Sequence, residues 1–172
     1  KFLNTVTHNP AGRSLNVIVN FLLEVGRELF GVAGDSEKVW LKLNHLVENK
    51  TDSGGLHARI SFFKNNATGF SNGYLQAISE QNFTVENFFY AALEDMSKNF
   101  LNAYKRFKIK SVNKIIVSGG LAGKSLKLQQ LIKKRFDIPV LLAPYREETL
   151  IGLFLLSSVH SGLQKTVSSA ME

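Results

Sequence analysis

Cysteine is absent from this chain of 172 residues. Disulfide scaffolds, thiol nucleophiles and Cys-based zinc sites are thereby excluded. The absence fits a cytoplasmic protein, where disulfides have no role. Proline is scarce, at 3 residues, which excludes collagen-like and proline-rich architectures. Long apolar runs are missing too. The longest, Leu150 to Val159, reads LIGLFLLSSV, far short of the roughly 20 residues of a membrane span. No charged segment followed by an apolar core stands near the start, so no signal peptide is visible. The first residue is Lys1 rather than Met, as in a processed protein or a piece of a longer one. His8, His45, His57 and His160 lack metal-ligand spacing, and no metal site is assigned. Asp35, Asp52, Asp95 and Asp137 fall outside any catalytic motif and read as surface, caps or turns. No catalytic residue is assigned. Sequons at Asn49, Asn66 and Asn82 carry little weight without a secretory signal.

What is present is globular in character. Hydrophobic residues make up 44% and charged residues 20%, which excludes an intrinsically disordered chain. The net charge of +7 is uneven. Between residues 105 and 135 stand ten basic side chains and no acidic one, so the remainder is net negative. Such a stripe attracts nucleic acid, a membrane surface or a nucleotide polyphosphate. It reads equally as a set of solvated helix faces. No RGG repeat, zinc-finger spacing or RNP motif accompanies it. Neither nucleic acid nor membrane is therefore expected as a partner.

Periodicity organises the rest. Residues 2–7 alternate weakly, as a short strand. After the turn Asn9-Pro10-Ala11-Gly12, apolar residues recur from Ser14 at spacings of three and four, the signature of a helix. Gly31 and Gly34 close it. Asp35, Ser36 and Glu37 open a second helix, with Val39, Trp40, Leu43, Leu46 and Val47 on one stripe. Residues 56–63 read as a strand and residues 65–74, rich in Asn, Gly and Ser, as a loop. Thr84 caps a long helix over residues 85–107, whose Phe88, Phe89, Ala92, Met96, Phe100, Ala103, Tyr104 and Phe107 form a core-facing stripe. The last third reads as a buried strand (114–118), a tight glycine loop (119–123) and a helix (125–136). A second strand (139–143), a turn (144–146) and a final helix from Glu147 to about Val159 follow. Strand–helix–strand implies a parallel pair and an α/β class.

The loop SGGLAGKS joins a strand to a helix, where backbone N–H groups can meet phosphate. Gly123-Lys124-Ser125 imitates the end of a P-loop. The pattern fails by one residue: it requires glycine five positions before Gly123, and Ser118 stands there. A purely structural glycine turn remains open.

A wider match covers nearly all of the chain. Residues 115–152 run IIVSGG, a helix carrying Gln129, PVLLAP, and then Glu147 five positions before Gly152. Upstream stands Ala11-Gly12-Arg13-Ser14-Leu15-Asn16. In order and spacing these motifs resemble the C-terminal domain of the FGGY carbohydrate kinases. The Asn-rich opening and the 56–63 segment look most like the sedoheptulokinase branch. The resemblance implies an α/β actin/hexokinase/Hsp70-like (ribonuclease H-like) nucleotide-binding domain, the second domain of a sugar kinase. It implies that residues 1–172 form one such domain, with the N-terminal domain absent. ATP and Mg2+ are the implied cofactors. A sugar, such as the ketose sedoheptulose, and the N-terminal domain are the implied partners, and a homodimer is compatible with it. Gly12, Asn16, Gly119, Gly120 and Lys124 then stand at nucleotide-binding positions. Relatives often carry Asn or Ser where Lys124 stands, and Ser125 is the substitute for that contact. The family's catalytic Asp precedes this region, so the chain alone is expected to be inactive. The competing expectation is a domain of the same fold that lost its chemistry and serves regulation or interaction. Lys124 and the bulky Leu153-Phe154 favour that alternative.

Overall fold

The structure, a computed structural model, describes residues 5–66, 68–107, 112–144 and 147–171. Helix α1 (Gly12–Phe30) buries Leu15, Ile18 and Val19, the residues its spacing aligned. It stops at Gly31, whose φ of 64° places it in the left-handed region. The Gly31 N–H donates to the Arg27 carbonyl, the single bond of a left-handed cap, and the Val32 N–H donates to the Gly26 carbonyl. Helix α2 (Ser36–Val47) starts where Asp35 Oδ1 accepts the Glu37 N–H at 2.9 Å. It buries Leu43 and Val47 and leaves Leu46, expected on the same stripe, exposed.

Helix α3 (Val85–Lys105) is the centre of the molecule. Thr84 caps it by accepting the Asn87 N–H at 3.2 Å. It packs against α2, against α5 (Leu126–Arg135) and against strand β1 (His57–Arg59). Phe89, Leu93 and Met96 of α3 meet Leu15 and Val19 of α1, Leu43 of α2, and Leu128 and Ile132 of α5 in one hydrophobic cluster. Truncating Phe89 there would cost about 3–5 kcal/mol, since the packed neighbours could close the hole only in part. β1 pairs antiparallel with β2 (Tyr74–Gln76). Strands β3 (Ile115–Val117) and β4 (Val140–Leu142) pair in parallel, Ile115 opposite Val140 and Val117 opposite Leu142. Between them run α4 (Gly120–Lys124) and α5. Helix α6 (Glu148–His160) and the short α7 (Val167–Ala170) follow.

Several expectations are corrected. Of the strand expected over 2–7, residues 5–7 carry no regular structure, and 1–4 lie outside the described residues. The 56–63 strand shrinks to three residues. Its ladder ends because the Ile60 N–H donates to Asp95 Oδ2 at 2.9 Å instead of to a strand. The glycine loop 119–123 is instead the helical turn α4, closed by the Gly123 N–H on the Gly119 carbonyl. Strand β3 is not buried on both faces: Ile116 is 58% exposed, because the described residues cover one face of the pair only. The turn expected over 144–146 extends beyond the described residues.

Candidate functional site: a cleft between three helices

A cleft of about 720 Å³ opens where the start of α1, one face of α2 and α4 converge. Gly12 and Asn16 come from α1, Gly120, Leu121 and Lys124 from α4, and Asp35, Ser36, Glu37, Trp40, Leu41 and Asn44 from α2 and its cap. Each set obeys helical spacing. Gly12 and Asn16 are four apart, as are Gly120 and Lys124, and Glu37, Trp40, Leu41 and Asn44 fall on one α2 face.

Local chemistry fixes α4. Gly119 turns the chain with φ 98° and ψ 154°, a region open to glycine alone. The Gln129 side chain reaches back from α5 and donates to the Ala122 carbonyl at 2.7 Å. Ser125 is fully buried, and its Oγ accepts the Leu128 N–H at the start of α5. The turn carrying Gly120 and Lys124 is therefore held at both ends.

Four of the six expected binding residues line the cleft: Gly12, Asn16, Gly120 and Lys124. Gly119 and Ser125 are not in its lining: Gly119 is the cap residue before α4, and Ser125 caps α5. A Cβ at Gly12 or Gly120 would meet no protein atom within 4 Å, so the missing side chains leave open cleft rather than relieve crowding. Sequence reasoning missed the α2 wall. Its signal was the 37, 40, 41, 44 spacing, hidden because Trp40 counted toward the apolar core stripe. Trp40 does both: it packs at the edge of the core and lines the cleft.

The wall is polar where it meets α1. Trp40 Nε1–H donates to Asn16 Oδ1 at 3.2 Å, and Asn44 Nδ2 donates to the Trp40 carbonyl at 3.0 Å. One charged end carries Lys124, while Asp35 and Glu37 lie on the α2 side. Asp35 already serves as the α2 cap. No nucleophile paired with a base lines the cleft. The lining thus combines an indole and apolar side chains with two amides and charges of both signs.

A second, polar cavity of about 360 Å³ lies between β1, β2 and α3 and includes His57, Asp95 and Arg135. Burial pushes the Asp95 carboxyl above its ordinary range, opposed by hydrogen bonds from the Ile60 N–H and Asn99. Those bonds give Asp95 a structural task. Among the described residues no group of three or more His, Asp or Glu side chains is placed to hold a metal ion. No helix among them is long and apolar enough to cross a membrane.

Residues 12–161 match the FGGY family of carbohydrate kinases, C-terminal domain. No curated protein matches the chain. Among solved structures, a ligand-bound xylulose kinase from Lactobacillus acidophilus is similar over 90% of this chain, at 16% identity and a TM-score of 0.62. A gluconate kinase from the same organism is similar over 90% of this chain, at 16% identity and a TM-score of 0.61. The chain covers 31% of each of those proteins. The fold is the ribonuclease H-like, actin/hexokinase fold of the sugar kinases, seen among the described residues as mixed helices with two small sheets. Matched over most of its length, the chain belongs to the FGGY family of carbohydrate kinases, as their C-terminal domain.

Proposed function

We propose that residues 1–172 form one domain, the nucleotide-binding half of a cytoplasmic carbohydrate kinase, and that the three-helix cleft takes ATP. One observation carries this reading. Gly12 and Asn16 near one end of the sequence and Gly120 and Lys124 far along it meet in a single cleft. ATP, when bound, supplies the γ-phosphoryl group for transfer to a sugar hydroxyl, and such catalysis is mostly positioning and charge stabilisation. In this reading Gly12 and Gly120 let the nucleotide lie against bare backbone. Asn16 offers its amide, and the Lys124 ammonium screens phosphate charge. The described residues offer no ligand cluster for Mg2+, so no side chain here is assigned to it.

The catalytic base, the sugar site and the opposing wall belong to an N-terminal domain in this reading. Helix α6 supports such a partner. Among the described elements it packs chiefly on α7, and Leu153 and Phe154 are 59% and 69% exposed. Sedoheptulose is the first ketose to test as acceptor. The decisive experiment is a calorimetric titration of ADP at fixed salt into the chain and its Gly120→Val variant. Position 120 has ordinary φ and free space around a Cβ, so the variant should fold. Its affinity is expected to fall at least about tenfold, or about 1.4 kcal/mol. Lys124→Ala should lose less. Unchanged ADP binding by folded Gly120→Val would reduce α4 to a structural turn. No ADP binding by the parent chain would favour the interaction-domain alternative.

A further inference from the structure

The polar cavity of about 360 Å³ between β1, β2 and α3 shares no lining residue with the three-helix cleft. Helix α3 supplies one wall with Ala91, Glu94, Asp95 and Lys98, which stand at positions i, i+3, i+4 and i+7 of one helical face. Arg135 joins them from the last turn of α5. Charges of both signs thus converge on one small space. Glu94 and Lys98 even have the i, i+4 spacing and order that favour an ion pair along a helix. Among the described residues neither makes one, and Arg135 makes none either.

Arg135 is partly buried and oriented by the protein. Its Nε–H donates to Ser97 Oγ. Ser97 is fully buried and in turn donates to the Glu94 carbonyl at 2.7 Å. The Nε–H is thereby occupied, while the two terminal NH2 groups have no partner among the described residues. They form a planar fork that matches a carboxylate. The Glu94 carboxylate, partly buried one turn before Lys98, accepts no hydrogen bond among the described residues. Asp95 differs, since its Oδ2 already accepts the Ile60 N–H and Asn99 Nδ2. A neutral guest would leave both free charges unmet, and a simple ion would meet one and be repelled by the other. A small zwitterion meets both. We propose that this cavity binds a free α-amino acid, its carboxylate on the Arg135 fork and its ammonium on the Glu94 carboxylate. The volume lies at the lower end of the roughly 300–1,000 Å³ of small-molecule pockets, and Tyr74 and Gln76 of β2 add polar lining for a side chain. This inference does not depend on the nucleotide reading.

The test is a calorimetric titration of the full chain with glycine, L-serine and L-glutamine. The tightest binder of the three is then compared with its N-acetyl derivative, which keeps only the carboxylate charge, and with its α-amide, which keeps only the ammonium. Xylitol serves as an uncharged polyol. The amino acid should bind at least about tenfold tighter than either derivative. Glu94→Gln should erase most of its advantage over the N-acetyl derivative, and Arg135→Gln most of its advantage over the α-amide. Circular dichroism of each variant separates these effects from unfolding. No saturable binding by any of the three, or binding of xylitol with equal affinity, overturns the proposal. So does a uniform loss for all probes in a folded variant, which marks a structural role. Should Arg135→Gln not fold, Glu94→Gln and the two derivatives decide.

Discussion

At the scale of single residues, neighbours of the same type do different work. Gly119 holds a backbone region that side chains avoid, and Gly120 holds an ordinary one beside open cleft. Only the second is a clean probe of ligand space. Asp95 makes the same point for charge. Its carboxylate accepts the Ile60 N–H and Asn99 Nδ2 at 2.9 and 3.0 Å, yet burial raises its pKa above the ordinary 3.8. A carboxyl raised in the folded state binds its proton more tightly than in the unfolded chain. Its contribution to stability is therefore greatest below 3.8 and falls as pH rises through the folded value. Asp95→Asn keeps an acceptor and removes the titration. Urea midpoints measured from about pH 4 to 7 should decline less with rising pH in Asp95→Asn than in the parent. Identical slopes would show that the carboxyl is solvated enough to titrate normally.

At the scale of elements, caps decide where helices begin. Thr84, Asp35 and Ser125 each accept a backbone N–H in the first turn of α3, α2 and α5. The starts at Thr84 and Asp35 were readable because a cap is a local rule, whereas Ser125 read as the first helical residue and proves to be the cap. Thr84→Ala should lower stability by about 1 kcal/mol, since α3 contacts α2, α5 and β1 and a loosened first turn is felt by all three. A denaturant melt with an unchanged midpoint would mean that packing alone sets the helix start. Strands were read less well. The β1–β2 pair joins residues across the Asn-rich stretch, and its three-residue length depends on Asp95, far along the chain, taking the Ile60 N–H. No window of local sequence contains both partners.

At the scale of the molecule, the β3–β4 pair and α6 leave apolar surface uncovered. Ile116, Leu141 and Leu142 of the pair are exposed, as are Leu150, Leu153, Phe154 and Leu156 of α6. Parallel strands are normally covered on both faces, and apolar patches of this kind mark surfaces that meet another body. The chain covers 31% of the kinases it resembles in fold. One wall of a cleft cannot by itself position both reactants of a phosphoryl transfer. The isolated chain should accordingly show no sugar-dependent ADP release with a panel of ketoses and polyols in a coupled assay. Turnover above background would move the catalytic base into these residues. The basic stripe takes part in packing as well as charge: Lys127 is buried, and its Nζ donates to the Lys50 carbonyl at 2.8 Å.

The sequence by itself determined the longer helices α1, α2, α3, α5 and α6, the caps at Asp35 and Thr84 and the strand–helix–strand unit, because periodicity and capping act over a few residues, and it carried the family pattern in the order of its motifs. It also named Gly12, Asn16, Gly120 and Lys124, through resemblance rather than through local physics. Tertiary structure alone decided that these four residues share a cleft and that Trp40 and Asn44 of α2 line its remaining wall. It likewise made a helical turn of the glycine loop, braced by Gln129 from the next helix. The physical reason is common to all three. Each depends on packing that brings separate segments together through the α3-centred core, and a pattern read along the chain carries no distance between segments.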